Sequence, residues 1–278
     1  MKIAIYKRDS HHQDDGKVQA LRERLREKGA TVVCYREDFF SWEGLPADTD
    51  LFLSLGGDGT FLEALTLIRD RGIPVAGINS GHLGFLTTAR ADDDDRWIDA
   101  LLAGDYTVEE RSLLRVTCPE LPGDFYPFAL NEVSVQRRGA SMLSVDVCID
   151  GRQLPTYWAD GLVAATPTGS TAYNLSVGGP VVMPSSEVMV LAPIAPHNLN
   201  VRPLVVPMAS SVELTFHSRE RSALLTLDNR SCELASGTKV ILSRGRYGLR
   251  YVSLSDQNFI NALQTKLFWG EDRRNTNR

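Results

Sequence analysis

The chain has 278 residues, 43% of them hydrophobic and 23% charged, with a net charge of −5. That length exceeds what one hydrophobic core usually serves, so two domains are expected, and the composition excludes a largely disordered chain. The acidic balance gives no electrostatic basis for a nucleic-acid partner, because phosphate backbones attract basic surfaces. Cys34, Cys118, Cys148 and Cys232 form no CxxC pair. This spacing argues against a dense disulfide framework or a metal site and suits thiols in a reducing compartment. No run approaches the ~18 apolar residues of a membrane span, and the N-terminus lacks a signal-peptide pattern. No membrane partner and a cytoplasmic location are the expectation.

The first hundred or so residues alternate strand and helix signals. Lys2 to Tyr6 is a short β-like run, followed by Val18, Leu21 and Leu25 at helical spacing, with Gly29 where a C-cap belongs. Thr31 to Tyr35 and Leu51 to Leu55 read as strands, and Phe61, Leu62, Leu65 and Ile68 mark the next helix, ending near Gly72. Ile73 to Ile78 is another strand. The acidic run Asp92 to Asp95 reads as the first turn of a helix carrying Trp97, Ile98, Leu101 and Leu102, where the dipole favours negative charge. Arg22 to Lys28 reads as a solvated helix face. This rhythm predicts a Rossmann-like α/β domain over residues 1–105, with a parallel sheet under helices.

Beyond Asp105 the period changes to two. Leu143, Val145, Val147 and Ile149 alternate with polar or small residues, and Asp150-Gly151 gives a turn. Strand-like runs follow at Val201 to Val206, Val212 to Phe216, Leu224 to Leu227, Val240 to Leu242 and Leu249 to Leu254. Residues 106–255 are therefore expected to form a β-sandwich-like domain. A terminal helix over 256–270, with Phe259, Leu263, Leu267 and Phe268 on one face, is expected to pack back on the first domain, since a lone amphipathic helix cannot bury its stripe.

Two stretches carry chemistry. Leu51 to Leu55 delivers the chain to Gly56-Gly57-Asp58-Gly59-Thr60, and a helix begins at once. The glycines allow close backbone approach, and amides at a helix start form an anion site suited to phosphate. Asp58 adds a carboxylate, which suits taking a proton from an attacking hydroxyl or holding Mg²⁺ against donor phosphates. No Gly-Lys-Ser/Thr follows, so this is not a P-loop. The second stretch runs from Asp160-Gly161 through Thr166-Pro167-Thr168-Gly169-Ser170-Thr171-Ala172-Tyr173-Asn174-Leu175-Ser176 to Gly178-Gly179-Pro180. Its dense hydroxyls and glycines suit a nucleotide's sugar and base edge. Asn131-Glu132, beside the strand Val133 to Val135, offers an amide and a carboxylate for ribose hydroxyls.

With Gly77-Ile78-Asn79, Gly81 to Leu86, Ala192-Pro193-Ile194-Ala195-Pro196-His197 and Arg202-Pro203-Leu204, these segments resemble the NAD kinase family. That family phosphorylates the 2′-hydroxyl of the adenosine ribose of NAD. The resemblance implies Asp58 as catalytic base, Gly59 beside the ribose, and Asn131 and Glu132 on the adenosine portion. It also implies Asp160 at the nicotinamide end, commonly from a neighbouring subunit, with Phe85 near that end. Thr171, Ala172, Tyr173, Asn174, Leu175 and Ser176 would line the adenine-ribose pocket, with Ala195 a further contact. ATP or polyphosphate with a divalent metal ion, Mg²⁺, is the implied donor system, with no dedicated protein metal cage, and a homodimer or homotetramer is the implied assembly. Glu63 and Trp158 stand where many family members carry basic residues, and neither receives a ligand role. Two rivals share parts of the pattern: a lipid kinase of the diacylglycerol or sphingosine type, which also carries the Gly-Gly-Asp-Gly-Thr turn, and a non-catalytic NAD-binding regulator.

Overall fold

The computed structural model describes residues 1–8, 15–35, 45–79, 84–87, 89–91, 93–254 and 259–269. They form two compact units, one of Met1–Glu110 with Arg250–Arg278 and one of Arg111–Leu249. Asp92, Ser255, and residues 81–83, 256–258 and 270 of the expected segments lie outside the described residues.

In the first unit, β1 (Lys2–Tyr6), β2 (Thr31–Tyr35), β3 (Leu51–Leu55) and β4 (Val75–Asn79) are parallel, in the spatial order β2-β1-β3-β4. β3 and β4 are buried along their whole length, as expected of parallel strands covered on both faces. One face holds Ile3, Ile5, Leu53 and Leu55 against Leu21 and Leu25 of α1 (Asp15–Glu27) and Ile98 of α3 (Arg96–Ala103). Val252 joins that core. Its neighbour Tyr251 therefore turns to the opposite face, where it meets Phe61 of α2 (Asp58–Ile68) with ring centroids 5.9 Å apart. Because β1 lies between β2 and β3, the strand order reverses between β1 and β3, and ligands in open α/β sheets bind beyond the carboxyl ends of the strands at such a point. Gly56 follows β3 at that end.

Several local expectations change. The strand Leu249–Ser253 belongs to this sheet, parallel to β4 with Tyr251 opposite Val75, and not to the β half of the chain. A five-residue apolar run fits a buried parallel strand as well as a sandwich strand, and periodicity cannot separate them. Thr107–Arg111, unforeseen because it is largely exposed, lies at the sheet's edge. The acidic residues described before α3 are not its first turn. Asp95 precedes the helix, caps nothing with its side chain, and pairs with Arg24 at 2.7 Å and Lys28 at 3.5 Å. Arg24 and Lys28 thereby tie α1 to α3, so that face of α1 is not simply solvated. In the C-terminal helix, Phe259–Leu267, Leu263 is buried, whereas Phe268 lies past the helix end and is exposed.

The second unit is a sandwich of two antiparallel sheets. One runs Arg152–Gln153, Leu143–Ile149, Val212–His217, Lys239–Arg244, Leu114–Thr117, Phe128–Ala129. The other runs Leu204–Pro207, Val188–Ile194, Gly161–Ala165, Glu132–Gln136, Ser222–Leu227, Arg230–Ala235. Leu143, Val145 and Val147 of the first meet Val133, Val135 and Leu162 of the second in one core. The alternate residues Val163, Ala165, Val190 and Ala192 face outward and are covered by Tyr173, Val177 and Val182. That cover is the hydroxyl-rich segment, folded as a 3₁₀ turn at Thr168–Thr171 and a short helix at Tyr173–Ser176. It explains why Gly161–Ala165 is buried on both faces and shows no alternation in sequence.

Candidate active site

The site in the first unit is built from five glycines and one carboxylate. Gly56 donates its N–H to Ile78 of β4 at 2.8 Å, and a Cβ there would lie 2.4 Å from Thr60 Oγ1, so only glycine lets the turn close. Gly57 stands at the N-cap of α2 without a side-chain cap, while its carbonyl accepts from Thr60 at 3.0 Å and Phe61 at 3.2 Å. Gly57 and Gly59 are exposed. The opening of α2 thus presents backbone amides that no side chain caps, a site for anionic oxygens.

Asp58 does not cap its own helix. Its Oδ2 accepts the N–H of Phe85 at 2.8 Å and its Oδ1 that of Leu86 at 3.0 Å. A Cβ on Gly84 would sit 1.8 Å from Oδ1, and a Cβ on Gly77 would sit 2.1 Å from the Leu86 carbonyl. Gly77 therefore lets the Gly84–Thr87 turn approach β4, and Gly84 lets the carboxylate seat against that turn. Thr87 Oγ1 accepts the Gly84 N–H at 2.8 Å and fixes the turn from within. An ionised carboxylate has about four acceptor positions. With one N–H on each oxygen, Asp58 can still accept a hydroxyl proton.

Glu63, one turn along α2, accepts from Tyr6 Oη at 2.8 Å and pairs with Arg8 at 3.0 Å. The end of β1 thus supplies a cation beside a position where α2 carries an acid.

In the second unit, residues 130–132 are clamped from two sides. Asp228, whose side chain is fully buried, accepts the N–H groups of Leu130 at 2.9 Å, Asn131 at 2.7 Å and Glu132 at 3.3 Å, and lies 3.5 Å from Arg230. On the other side, Thr166 donates its N–H to the Asn131 carbonyl at 2.8 Å and its hydroxyl to Leu130. Gly169 comes so close that a Cβ would lie 2.0 Å from the Asn131 oxygen. Burial, with the Asp228 charge adding to it, pushes the Glu132 carboxyl up to about 8, against an opposing hydrogen bond from the Tyr173 backbone. Glu132 is 9% exposed, and its Oε2 is buried with no hydrogen-bond partner. Near neutral pH it is mainly a neutral acid, able to donate as well as accept. Burial also raises the Tyr173 phenol, and the charges of Glu132 and Asp160 add to that, so these three side chains share one neighbourhood.

The remaining predicted residues divide by exposure. Thr171, Ala172, Tyr173 and Leu175 are half-buried and Ser176 is exposed. Asn174 is fully buried, and its Nδ2 holds the carbonyls of Ser170 at 3.1 Å and Pro180 at 3.0 Å. Its side chain organises the loop, and Gly179 packs against its Oδ1. Asp160 pairs with Arg137 at 2.7 Å. Ala195 is exposed, at φ +43°, at the end of strand Val188–Ile194. Trp158 is 47% exposed.

The chain matches the family model for the ATP-NAD kinase N-terminal domain over residues 12–106 and that for the C-terminal domain over residues 130–254. It is 38% identical to the NAD kinase of Christiangramia forsetii over 295 aligned positions, covering 99% of this chain and 100% of that one. The chain belongs to the NAD kinase family. The NAD kinase of Cytophaga hutchinsonii is 43% identical over 81% of this chain and 78% of its own. Among solved structures, an NAD kinase from Archaeoglobus fulgidus in complex with ATP is 29% identical, with a TM-score of 0.80 over 96% of this chain and 99% of that one. Yeast NADH kinase complexed with NADH shares the fold, with a TM-score of 0.87 at 23% identity over 99% of this chain and 90% of that one.

Within this NAD kinase family chain, sequence reasoning gave no role to Asp228 or Lys266. Asp228 sits in a turn at φ +54°, and an aspartate in a turn is ordinarily a solvated local acceptor, so nothing in the string marks it as the clamp of a strand 96 residues away.

Proposed function

We propose that this chain transfers a phosphoryl group from ATP to the 2′-hydroxyl of the adenosine ribose of NAD, forming NADP. The observation that carries this is the Asp58 carboxylate, held by two backbone amides at the uncapped opening of α2. A ribose hydroxyl is a poor nucleophile at neutral pH, so phosphoryl transfer to it depends on alignment, charge stabilisation and late proton removal. In this scheme Asp58 accepts the hydroxyl proton, Gly59 lies beside the ribose, and the amides opening α2 receive phosphate oxygens.

The second unit holds the acceptor. Asn131 and Glu132 contact the adenosine portion, and a neutral Glu132 both donates to and accepts from it. Thr171 to Ser176 line the adenine-ribose pocket, chiefly through Tyr173 and the loop backbone that Asn174 holds in place. Asp160 and Phe85 serve the nicotinamide end, and Ala195 is a further contact. Polyphosphate is an alternative donor. Among the described residues no three His, Cys, Asp or Glu side chains gather to hold a metal ion. Mg²⁺ commonly binds through substrate phosphates with one or two carboxylates; the donor phosphates, with Asp58 nearby, would hold such an ion here, and it would supply charge neutralisation. We place the protein in the cytoplasm as a homodimer or homotetramer. No described helix is long and apolar enough to cross a membrane.

The test is purified protein with NAD, Mg²⁺ and either ATP or polyphosphate, assayed for NADP, with diacylglycerol and sphingosine as competing acceptors. NADP formation supports the proposal. Lipid phosphorylation, or no NADP with either donor, overturns it.

A further inference from the structure

The C-terminal helix brings a cation to the turn that orients Asp58. Phe259, Leu263 and Lys266 recur at the spacing of one helix face. Leu263 is buried, the Phe259 ring lies 6.5 Å from the Phe85 ring, and Lys266 Nζ lies 4.8 Å from the Phe85 ring centroid. Lysine usually keeps its ammonium in water, with only its stem buried. Here the ammonium is set over an aromatic face, a favourable contact when partly desolvated. Burial pulls its pKa below the ordinary lysine value, and the charge of Asp58 acts in the opposite direction, which places the carboxylate within electrostatic reach. The same Phe85 donates its N–H to Asp58 Oδ2, and the next residue donates to Oδ1. A contact chain therefore runs from Lys266 through the Phe85 ring and backbone to both carboxylate oxygens.

We propose that Lys266 is a positioning residue for phosphoryl transfer, holding the Phe85 ring so that the Phe85 and Leu86 amides aim the Asp58 carboxylate. This rests on the NAD kinase reading with Asp58 as base. A small misplacement of a reacting group is costly, on the order of a hundredfold per ångström in unfavourable cases. Lys266→Met keeps an unbranched side chain one atom shorter and removes the charge, and Lys266→Arg keeps a cation able to stack on the ring.

The experiment is steady-state kinetics of NADP formation, with NAD and ATP varied separately, for the wild type, both Lys266 variants, Phe85→Leu, and Phe85→Leu combined with Lys266→Met. Lys266→Met is expected to lower kcat about ten- to a hundredfold with both KM values within about twofold, and Lys266→Arg to recover most of the loss. In the Phe85→Leu background Lys266→Met should cost little more, because the lysine acts through that ring. A Lys266→Met kcat within twofold of wild type overturns the proposal. So does a raised KM for ATP with kcat kept, which would make the lysine a donor contact, and so does full additivity with Phe85→Leu. Should the Met variant not fold, Lys266→Gln provides the same comparison. Absence of NADP from the wild-type protein would overturn the underlying reading instead, whatever the variants do.

Discussion

Gly84 and Asp58 are in such close contact that a Cβ on the glycine would lie 1.8 Å from the aspartate's Oδ1. The two residues are 26 positions apart in sequence, on the turn after β4 and the first turn of α2. This close approach seats the carboxylate where the N–H groups of Phe85 and Leu86, just beyond Gly84, donate to its two oxygens at 2.8 and 3.0 Å.

Gly84→Ala should therefore act on Asp58 without touching it chemically. The added methyl must displace either the carboxylate or the turn, an overpacking that typically costs about 1–3 kcal/mol. We expect kcat for NADP formation to fall at least tenfold, about 1.4 kcal/mol in the barrier, with the melting temperature lowered by a few degrees. Kinetics and thermal unfolding on the same preparation check this. Unchanged kcat would mean that the carboxylate needs no such seat.

Asp228 is the buried anchor of residues 130–132, with three N–H donors and Arg230 around it. Asp228→Asn removes the charge that Arg230 faces and sets an amide NH₂ toward backbone donors. Removing one partner of a buried pair costs about 3–5 kcal/mol. Urea unfolding should show a loss in that range, and NAD affinity should weaken because Asn131 and Glu132 lose their hold. A variant as stable as wild type would contradict this account of the clamp.

Glu132 makes a pH prediction with a definite sign. Its folded pKa is raised to about 8 from 4.5, so between those values the folded state binds more protons than the unfolded one. Stability contributed by this group therefore falls as pH rises through that window, by at most about 1.4 kcal/mol per pH unit. Glu132→Gln cannot titrate, so the stability difference between variant and wild type should grow in the variant's favour from pH 5.5 to 7.5. Urea midpoints at three pH values measure it, and parallel pH profiles would contradict a buried neutral Glu132.

Much of this was legible in the sequence, and what was not has physical causes. The strands β1 to β3 and helices α2 and α3 were visible because a buried strand or one-sided helix leaves an apolar pattern. The Gly56 to Thr60 turn was visible because glycine has few other reasons to recur so densely. Val188–Ile194 and Gly161–Ala165 were missed as strands because both faces are covered, which erases the period of two. Leu249–Ser253 was assigned to the wrong half because its pairing partner, β4, is set by long-range topology that no local window contains. Asn174 was foreseen at the site, but burial turns its amide inward to hold the loop carbonyls. The acid at Glu63 looked anomalous from sequence; its partners Tyr6 and Arg8 lie at the end of β1 and only the fold brings them to it.

The most direct test of the account is single-turnover NADP formation by Asp58→Asn beside the wild type, with NAD binding measured calorimetrically on both. The amide keeps the size of the carboxylate and loses its basicity. NAD affinity should stay within about tenfold, while the chemical step slows by about two orders of magnitude or more. Near-wild-type NADP formation by this variant would contradict the role given to Asp58.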